Sequence, residues 1–207
     1  MLEAYLFVDP LCKECVQAEH VILKLADDLD KTFSFQFIPM LNMKSIRDCY
    51  YKSGQHLSNE SKYFKTEYNT VLDYKASLFQ GRKCGRKFLM GLQDELIVNG
   101  KEYNNDVCLK VAKQAGLDIE MFEEDRRSTL AINAFKADQK LAQEMKIQKP
   151  ASAVIFDCDS FECGILMDQI NYNDLVEVCT NDTNIYENKD LFKYNKDGKL
   201  TPNLHVL

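Results

Sequence analysis

The hydrophobic pattern changes character three times along the 207 residues. It opens with a short apolar run, Glu-Ala-Tyr-Leu-Phe-Val at 3–8, closed by Asp9-Pro10. A run of that length ended by a turn dipeptide predicts a buried strand. From Lys13 to Leu29 the period lengthens. Ala18, Ile22, Leu25 and Leu29 recur at steps of four, three and four, which is one face of an amphipathic helix. Residues 32–38 alternate with period two, placing Phe33, Phe35 and Phe37 on one side of a second strand. Two strands joined through a helix are expected to run parallel, with a right-handed crossover.

Between 43 and 145 no strand pattern is convincing. Apolar residues recur at helical spacing over Val71–Phe79, Phe88–Leu96, Val107–Ala115 and Ile119–Phe122. Gly81, Gly100 and Gly116 punctuate these stretches as C-cap glycines would. Asp118 is placed to N-cap the short helix after it. A longer helix is expected from Ser128 to Met145, with Leu130, Phe135, Leu141 and Met145 among its apolar residues. Cys49 and the segment 53–60 read as loop. Strand character returns at Ala153–Phe156, directly after Lys149-Pro150, and again near Glu162–Met167, across a turn through 157–160. Tyr172–Cys179 predicts a terminal helix. The tail 180–207 is Asn-rich, its four acidic and four basic residues cancel, and Asp197-Gly198 could turn a hairpin.

Charge and composition narrow the function classes. With 26 basic and 32 acidic residues the chain carries a net charge of −6. Sequence-independent nucleic-acid binding needs a basic footprint, so no nucleic-acid partner is expected. The cluster Arg82, Lys83, Arg86 and Lys87 reads first as a solvated face. No window approaches the ~20 apolar residues of a membrane helix. Glu3 and Asp9 bracket the first apolar run, which leaves no secretory signal of basic residues followed by about 7–15 apolar ones. The expected location is therefore cytoplasmic. His20, His56 and His205 are scattered, with no metal-binding spacing, and no nucleotide-binding loop or serine-hydrolase motif is present. No cofactor and no metal are expected.

The chain has eight cysteines, at 12, 15, 49, 84, 108, 158, 163 and 179. In a cytosolic protein most of them stay reduced and pack as small hydrophobes. Only Cys12-Lys13-Glu14-Cys15 has a spacing that carries chemistry. The pair lies where a strand hands over to a helix. There, unpaired N–H groups and the helix dipole favour thiolate, the reactive form. Lys13 should assist and Glu14 should oppose. The spacing brings the sulfurs within disulfide reach. Cys12 would be the more exposed, attacking thiol and Cys15 the resolving one. The alternatives are half of a zinc site, or two incidental thiols. Zinc needs four ligands, and Cys158 with Cys163 is the one other close pair.

Strand, CxxC, helix, a long helical stretch and a proline-led strand pair resemble a DsbA-like thioredoxin fold. The fold class expected is thus α/β, with 1–42 and 127–207 forming a discontinuous thioredoxin-like domain around an all-helical insertion at 43–126. That fold places a cis-proline opposite the CxxC, and Pro150 fits the position. A cis bond there would let a bound peptide pair with the backbone beside the sulfurs. The runs Leu-Phe-Val-Asp-Pro-Leu-Cys-Lys-Glu-Cys (6–15), Gln-Gly-Arg-Lys-Cys-Gly-Arg-Lys-Phe-Leu (80–89) and Ala-Phe-Lys-Ala-Asp-Gln-Lys-Leu-Ala-Gln-Glu-Met (134–145) resemble the YjbH/SpxH family. The resemblance implies an adaptor without turnover of its own. Such a protein binds the thiol-stress regulator Spx and promotes its degradation by the ClpXP protease. The alternative is a cytosolic DsbA/FrnE-type thiol-disulfide oxidoreductase or isomerase, with Cys12, Cys15 and Pro150 as its catalytic residues.

Overall fold

A computed structural model describes residues 1–29, 32–52, 60–157, 164–180 and 204–206. The residues expected to turn after 157, the loop at 53–59, the 197–198 dipeptide, Cys158 and Cys163 lie outside the described set. The elements run β1 (Leu2–Val8), α1 (Lys13–Asp28), β2 (Phe33–Pro39), α2 (Met43–Lys52), α3 (Glu60–Leu78), α4 (Arg82–Gln93), α5 (Asn105–Ala115), α6 (Ile119–Arg126), α7 (Thr129–Glu144), β3 (Ser152–Asp157), β4 (Ile165–Met167), α8 (Tyr172–Thr180) and β5 (Leu204–Val206). The chain forms two compact units. One comprises Met1–Phe7, Gln17–Ile38 and Ala151–Leu207; the other comprises Val8–Val16 and Pro39–Pro150.

The first unit is built on a five-stranded sheet ordered β2-β1-β3-β4-β5. β3 lies antiparallel to β1, with Leu2 opposite Asp157 and Phe7 opposite Ser152. β4 lies antiparallel to β3, and β5 to β4. The Leu2 N–H donates to Thr32 O and, at the other end of β1, the Met40 N–H donates to Val8 O. Both partners rise in number together, so β2 runs parallel to β1 as the crossover argument requires. The inner strands are the most apolar: Ala4, Leu6, Phe7, Ala153 and Val154 are fully buried. Phe33, Phe35 and Phe37 share one face of β2, with successive ring centroids 5.8 and 5.6 Å apart. Ala18, Ile22 and Leu25 of α1 are buried, on the expected stripe. Tyr172 of α8 donates to Asp28 at 2.6 Å and lies 4.3 Å beneath the Lys24 ammonium, which ties α8 to α1.

The second unit is helical, with α3 packed against α2, α4, α6 and α7. Its core holds Ala76, Phe88, Leu92, Cys108, Val111, Ala112 and Phe122, with the Phe88 and Phe122 rings 5.2 Å apart. α4 crosses α3 closely at Gly85. A Cβ there would stand 2.5 Å from Leu78 Cδ2 and 3.2 Å from Leu78 Cα. At the end of α4 the helix widens into a π-helical turn, Asp94–Val98, closed by the Asn99 N–H on Asp94 O. Asp118 N-caps α6 by accepting from the Met121 N–H, and Gly116 caps α5 with φ 83.

Two local expectations are corrected. Cys49 lies in α2, not in a loop. Gly81 takes φ 114 as the N-cap of α4 rather than a left-handed C-cap, although its N–H does close the end of α3 on Leu78 O. Leu130 is exposed. The buried stripe of α7 is Ala131, Phe135, Asp138 and Ala142, and it accommodates Asp138 because Lys75 of α3 meets it at 2.7 Å.

Candidate dithiol site

The site begins with the turn between β1 and α1. Pro10 has no N–H to give, and Asp9 folds back over the turn. Its Oδ1 accepts from the Leu11 N–H at 3.2 Å and its backbone O accepts from the Cys12 N–H at 3.1 Å. Gln93 of α4 donates to Pro10 O at 3.1 Å and fixes the loop on the helical unit. Cys12 then stands at the N-cap of α1, its carbonyl accepting from the Cys15 and Val16 N–H groups. Cys15 occupies the first turn, and its Sγ accepts from the Asp9 N–H at 3.2 Å.

Cys12 and Cys15 are two thiols rather than a disulfide, and both are buried. Cys12 is 5% exposed and Cys15 0%, so the attacking thiol is only marginally the more open. Cys12 Sγ donates to Glu14 Oε2 at 3.1 Å, the opposing influence expected of that residue. Burial is the largest effect pushing the Cys15 thiol well above its ordinary range. The hydrogen bond to Cys12, the charge of Cys12 and the charge of Asp9 add to it, against the single Asp9 N–H.

Beside the sulfurs lies a group that the sequence pattern does not single out. Glu67 of α3 and Asp9 are both 0% exposed, and each bears on the other's proton affinity. Burial first, then the charge of Cys12, raises Asp9 to about 6, against the Glu67 hydrogen bond and the Leu11 N–H. Burial also raises Glu67 well above the usual carboxylate range, reinforced by Asp9 and Cys12, with Tyr63 close enough to oppose slightly. No N–H or O–H meets Asp9 Oδ2 or either Glu67 oxygen at hydrogen-bonding geometry. A signal for Glu67 exists in the sequence. It sits four and seven residues before Val71 and Tyr74, which are buried on one helix face.

Pro150 departs from expectation. The Lys149–Pro150 peptide is trans, as no cis peptide bond occurs among the described residues. The chain reverses instead through two left-handed residues, Lys146 at φ 54 and Ala151 at φ 60, and the Ala151 N–H is held by Phe7 O at 2.8 Å. The site brings Cys12 and Cys15 together; among the described contacts none joins Pro150 to either sulfur. Arg82, Lys83 and Lys87 are exposed on α4 and Arg86 is half-buried. No helix among the described residues is long and apolar enough to cross a membrane.

Residues 5–178 match the family described as Thioredoxin. The chain belongs to the thioredoxin family. Among curated proteins it is similar to the ClpXP adapter protein SpxH of Bacillus subtilis, at 30% identity, and to that of Bacillus cereus (strain ATCC 14579), at 34%. Each match covers 79% of this chain, and 61% and 62% of the relatives respectively. The chain thus spans about three fifths of their length. Among solved structures it resembles a putative protein disulfide isomerase from Nitrosomonas europaea, with TM-score 0.64, 13% identity, and 86% and 95% of the two chains covered. It also resembles a probable DsbA oxidoreductase from Streptomyces coelicolor, with TM-score 0.61, 12% identity, and 98% and 100% covered. At such identities these two likenesses establish the DsbA-like thioredoxin fold and nothing of the chemistry.

Proposed function

We propose that this chain is an adaptor that binds a Spx-like thiol-stress regulator and promotes its degradation by ClpXP. The observation that carries the reading is the similarity to proteins named ClpXP adapter protein SpxH, at 34% identity over 185 residues for one of them. The site agrees with it. An enzyme of thiol exchange needs an accessible attacking thiolate, whereas Cys12 is 5% exposed and bonded to a carboxylate. A buried dithiol suits a protein that changes binding state with redox state better than one that turns substrate over.

The oxidoreductase reading keeps one specific support, the contact between the Cys12 and Cys15 thiols at a helix start. Degradation of purified Spx by purified ClpXP, with and without this protein, separates the two. Wild type and Cys12→Ala/Cys15→Ala are run side by side. Acceleration by both supports an adaptor whose delivery does not need the dithiol. Acceleration by neither turns the assignment to thiol-disulfide exchange, read by reduction of insulin disulfides.

A further inference from the structure

A cavity of about 280 Å³ opens on the helical unit between α3, the start of α5 and the turn from α6 to α7. Its wall carries Asn69, Asp73, Tyr103, Asn105, Arg126 and Arg127. Asp73 is the buried member. Its carboxylate accepts from Arg126 Nε at 2.7 Å, from Arg126 Nη2 at 2.9 Å, from the Tyr103 hydroxyl at 2.5 Å and from Cys108 Sγ at 3.1 Å. A carboxylate has about four acceptor positions, so these donors satisfy it.

Other donors around the cavity remain unused. A guanidinium has five N–H groups. Arg126 spends Nε and Nη2 on Asp73 and Tyr103 Oη, and one Nη1 N–H on Asn105 Oδ1 at 2.7 Å, which leaves one Nη1 N–H. Among the described contacts the Asn105 Nδ2 has no partner, and neither has the side chain of Asn69, half-buried on α3 one turn before Asp73. The Arg127 side chain is 74% exposed and meets Glu123 at 3.0 Å, four residues earlier. An exposed pair of that kind contributes little, so Arg127 can leave it for a ligand.

We propose that this cavity binds one carboxylate group, held by Arg127, the remaining Arg126 N–H and the amides of Asn69 and Asn105. The wall carries two positive charges, Arg126 and Arg127, against the one negative charge of Asp73. A singly charged group balances that difference. A phosphate dianion would bring a second negative charge beside Asp73 with nothing to meet it. The unused donors belong to planar amide and guanidinium groups, which suit a planar carboxylate. Sites that enclose a whole ligand run to about 300–1,000 Å³. This one therefore takes the head of a molecule, either a small free acid or the C-terminal carboxylate of a peptide. The proposal does not depend on the adaptor reading.

The test is proton–nitrogen correlation NMR of the full chain, following the side-chain amides of Asn69 and Asn105 and the Arg126 Nε–H. The titrants are sodium acetate, acetyl-dialanine with a free C-terminus, the same peptide amidated, and inorganic phosphate, with ionic strength held constant by chloride. Acetate and the free-terminus peptide are expected to shift all three signals saturably, with Kd in the millimolar range. Equal affinity for the two assigns the site to a small free acid, and tighter binding of the peptide assigns it to a chain terminus. Arg127→Gln and Asn69→Ala, each checked for fold by circular dichroism, should weaken binding about three- to tenfold, as loss of one hydrogen bond to a charged group requires. Arg126 is left in place because it also neutralises Asp73. Shifts that never saturate would overturn the proposal, as would equal binding of the amidated peptide, tighter binding of phosphate, or wild-type affinity in both variants.

Discussion

The Asp9 N–H points at Cys15 Sγ across 3.2 Å, so the residue that ends the first strand also holds the inner sulfur of the dithiol. A side-chain change at Asp9 leaves this backbone bond in place while altering the charge beside it. The backbone and the carboxylate of one residue therefore have separable effects: the first positions Cys15, and the second disfavours its ionisation.

The carboxyl pair makes stability depend on pH in a defined direction. Asp9 is raised from 3.8 to about 6 and Glu67 is raised as well, so the folded protein binds more protons than the unfolded chain above about pH 4. Stability therefore falls as pH rises from about 4 towards 6 and beyond. Glu67→Gln removes part of this dependence. Urea denaturation at pH 4.5 and 7 is expected to show the variant gaining on wild type at the higher pH. A gap that stays constant would count against the raised proton affinity of Glu67.

Glu14 is the carboxylate that meets Cys12 Sγ. Glu14→Gln removes a negative charge from the thiol's immediate surroundings and leaves the side-chain shape. Iodoacetamide should then react with Cys12 roughly two- to fivefold faster at pH 7. Alkylation kinetics in a Cys15→Ala background, with the same change made alongside, isolate the effect.

Arg126 meets Asp73 in a two-pronged ion pair at 2.7 and 2.9 Å and also contacts Tyr103 and Asn105. Cys108 Sγ donates to the same Asp73 carboxylate. Asp73 is 3% exposed, so removing the arginine strands a buried charge. Arg126→Ala should cost about 3–5 kcal/mol in chemical denaturation. Lysine should rescue little, because it lacks the planar fork.

Gly85 is in an α-helix, where alanine would normally be favoured by about 1 kcal/mol. The crossing with α3 reverses the sign, since the new Cβ would meet the Leu78 backbone as well as its side chain. Gly85→Ala should lower stability by about 1–3 kcal/mol. Gly116→Ala should cost about 1 kcal/mol for a different reason. Nothing crowds that position, but φ 83 disfavours a side chain. Melting temperatures of the two variants compare the mechanisms directly.

Local spacing accounts for much of this architecture. The stripe Ala18, Ile22, Leu25 in α1 and the Phe33, Phe35, Phe37 face of β2 are both legible in the chain, because backbone geometry enforces their periods. The dithiol falls at a strand–helix junction for the same reason. The stripe of α7 is harder to read from sequence. Its buried positions include Asp138, and only a partner on another helix makes the burial of a carboxylate acceptable. Glu67 is hidden for a related reason: on its own helix it is one more charged residue, and its burial depends on residues brought from elsewhere.

The sequence by itself determined the opening strand–helix–strand, the spacing of Cys12 and Cys15, and the turn chemistry of Asp9-Pro10, because each depends on neighbours within one or two turns of chain. Tertiary structure alone decided that both sulfurs are buried, that Asp9 and Glu67 are buried, and that the Lys149–Pro150 bond is trans, followed by left-handed Ala151. Desolvation is the physical reason for the first two: the free energy of a thiol or carboxyl depends on everything packed around it, and the chain's local pattern does not contain that information.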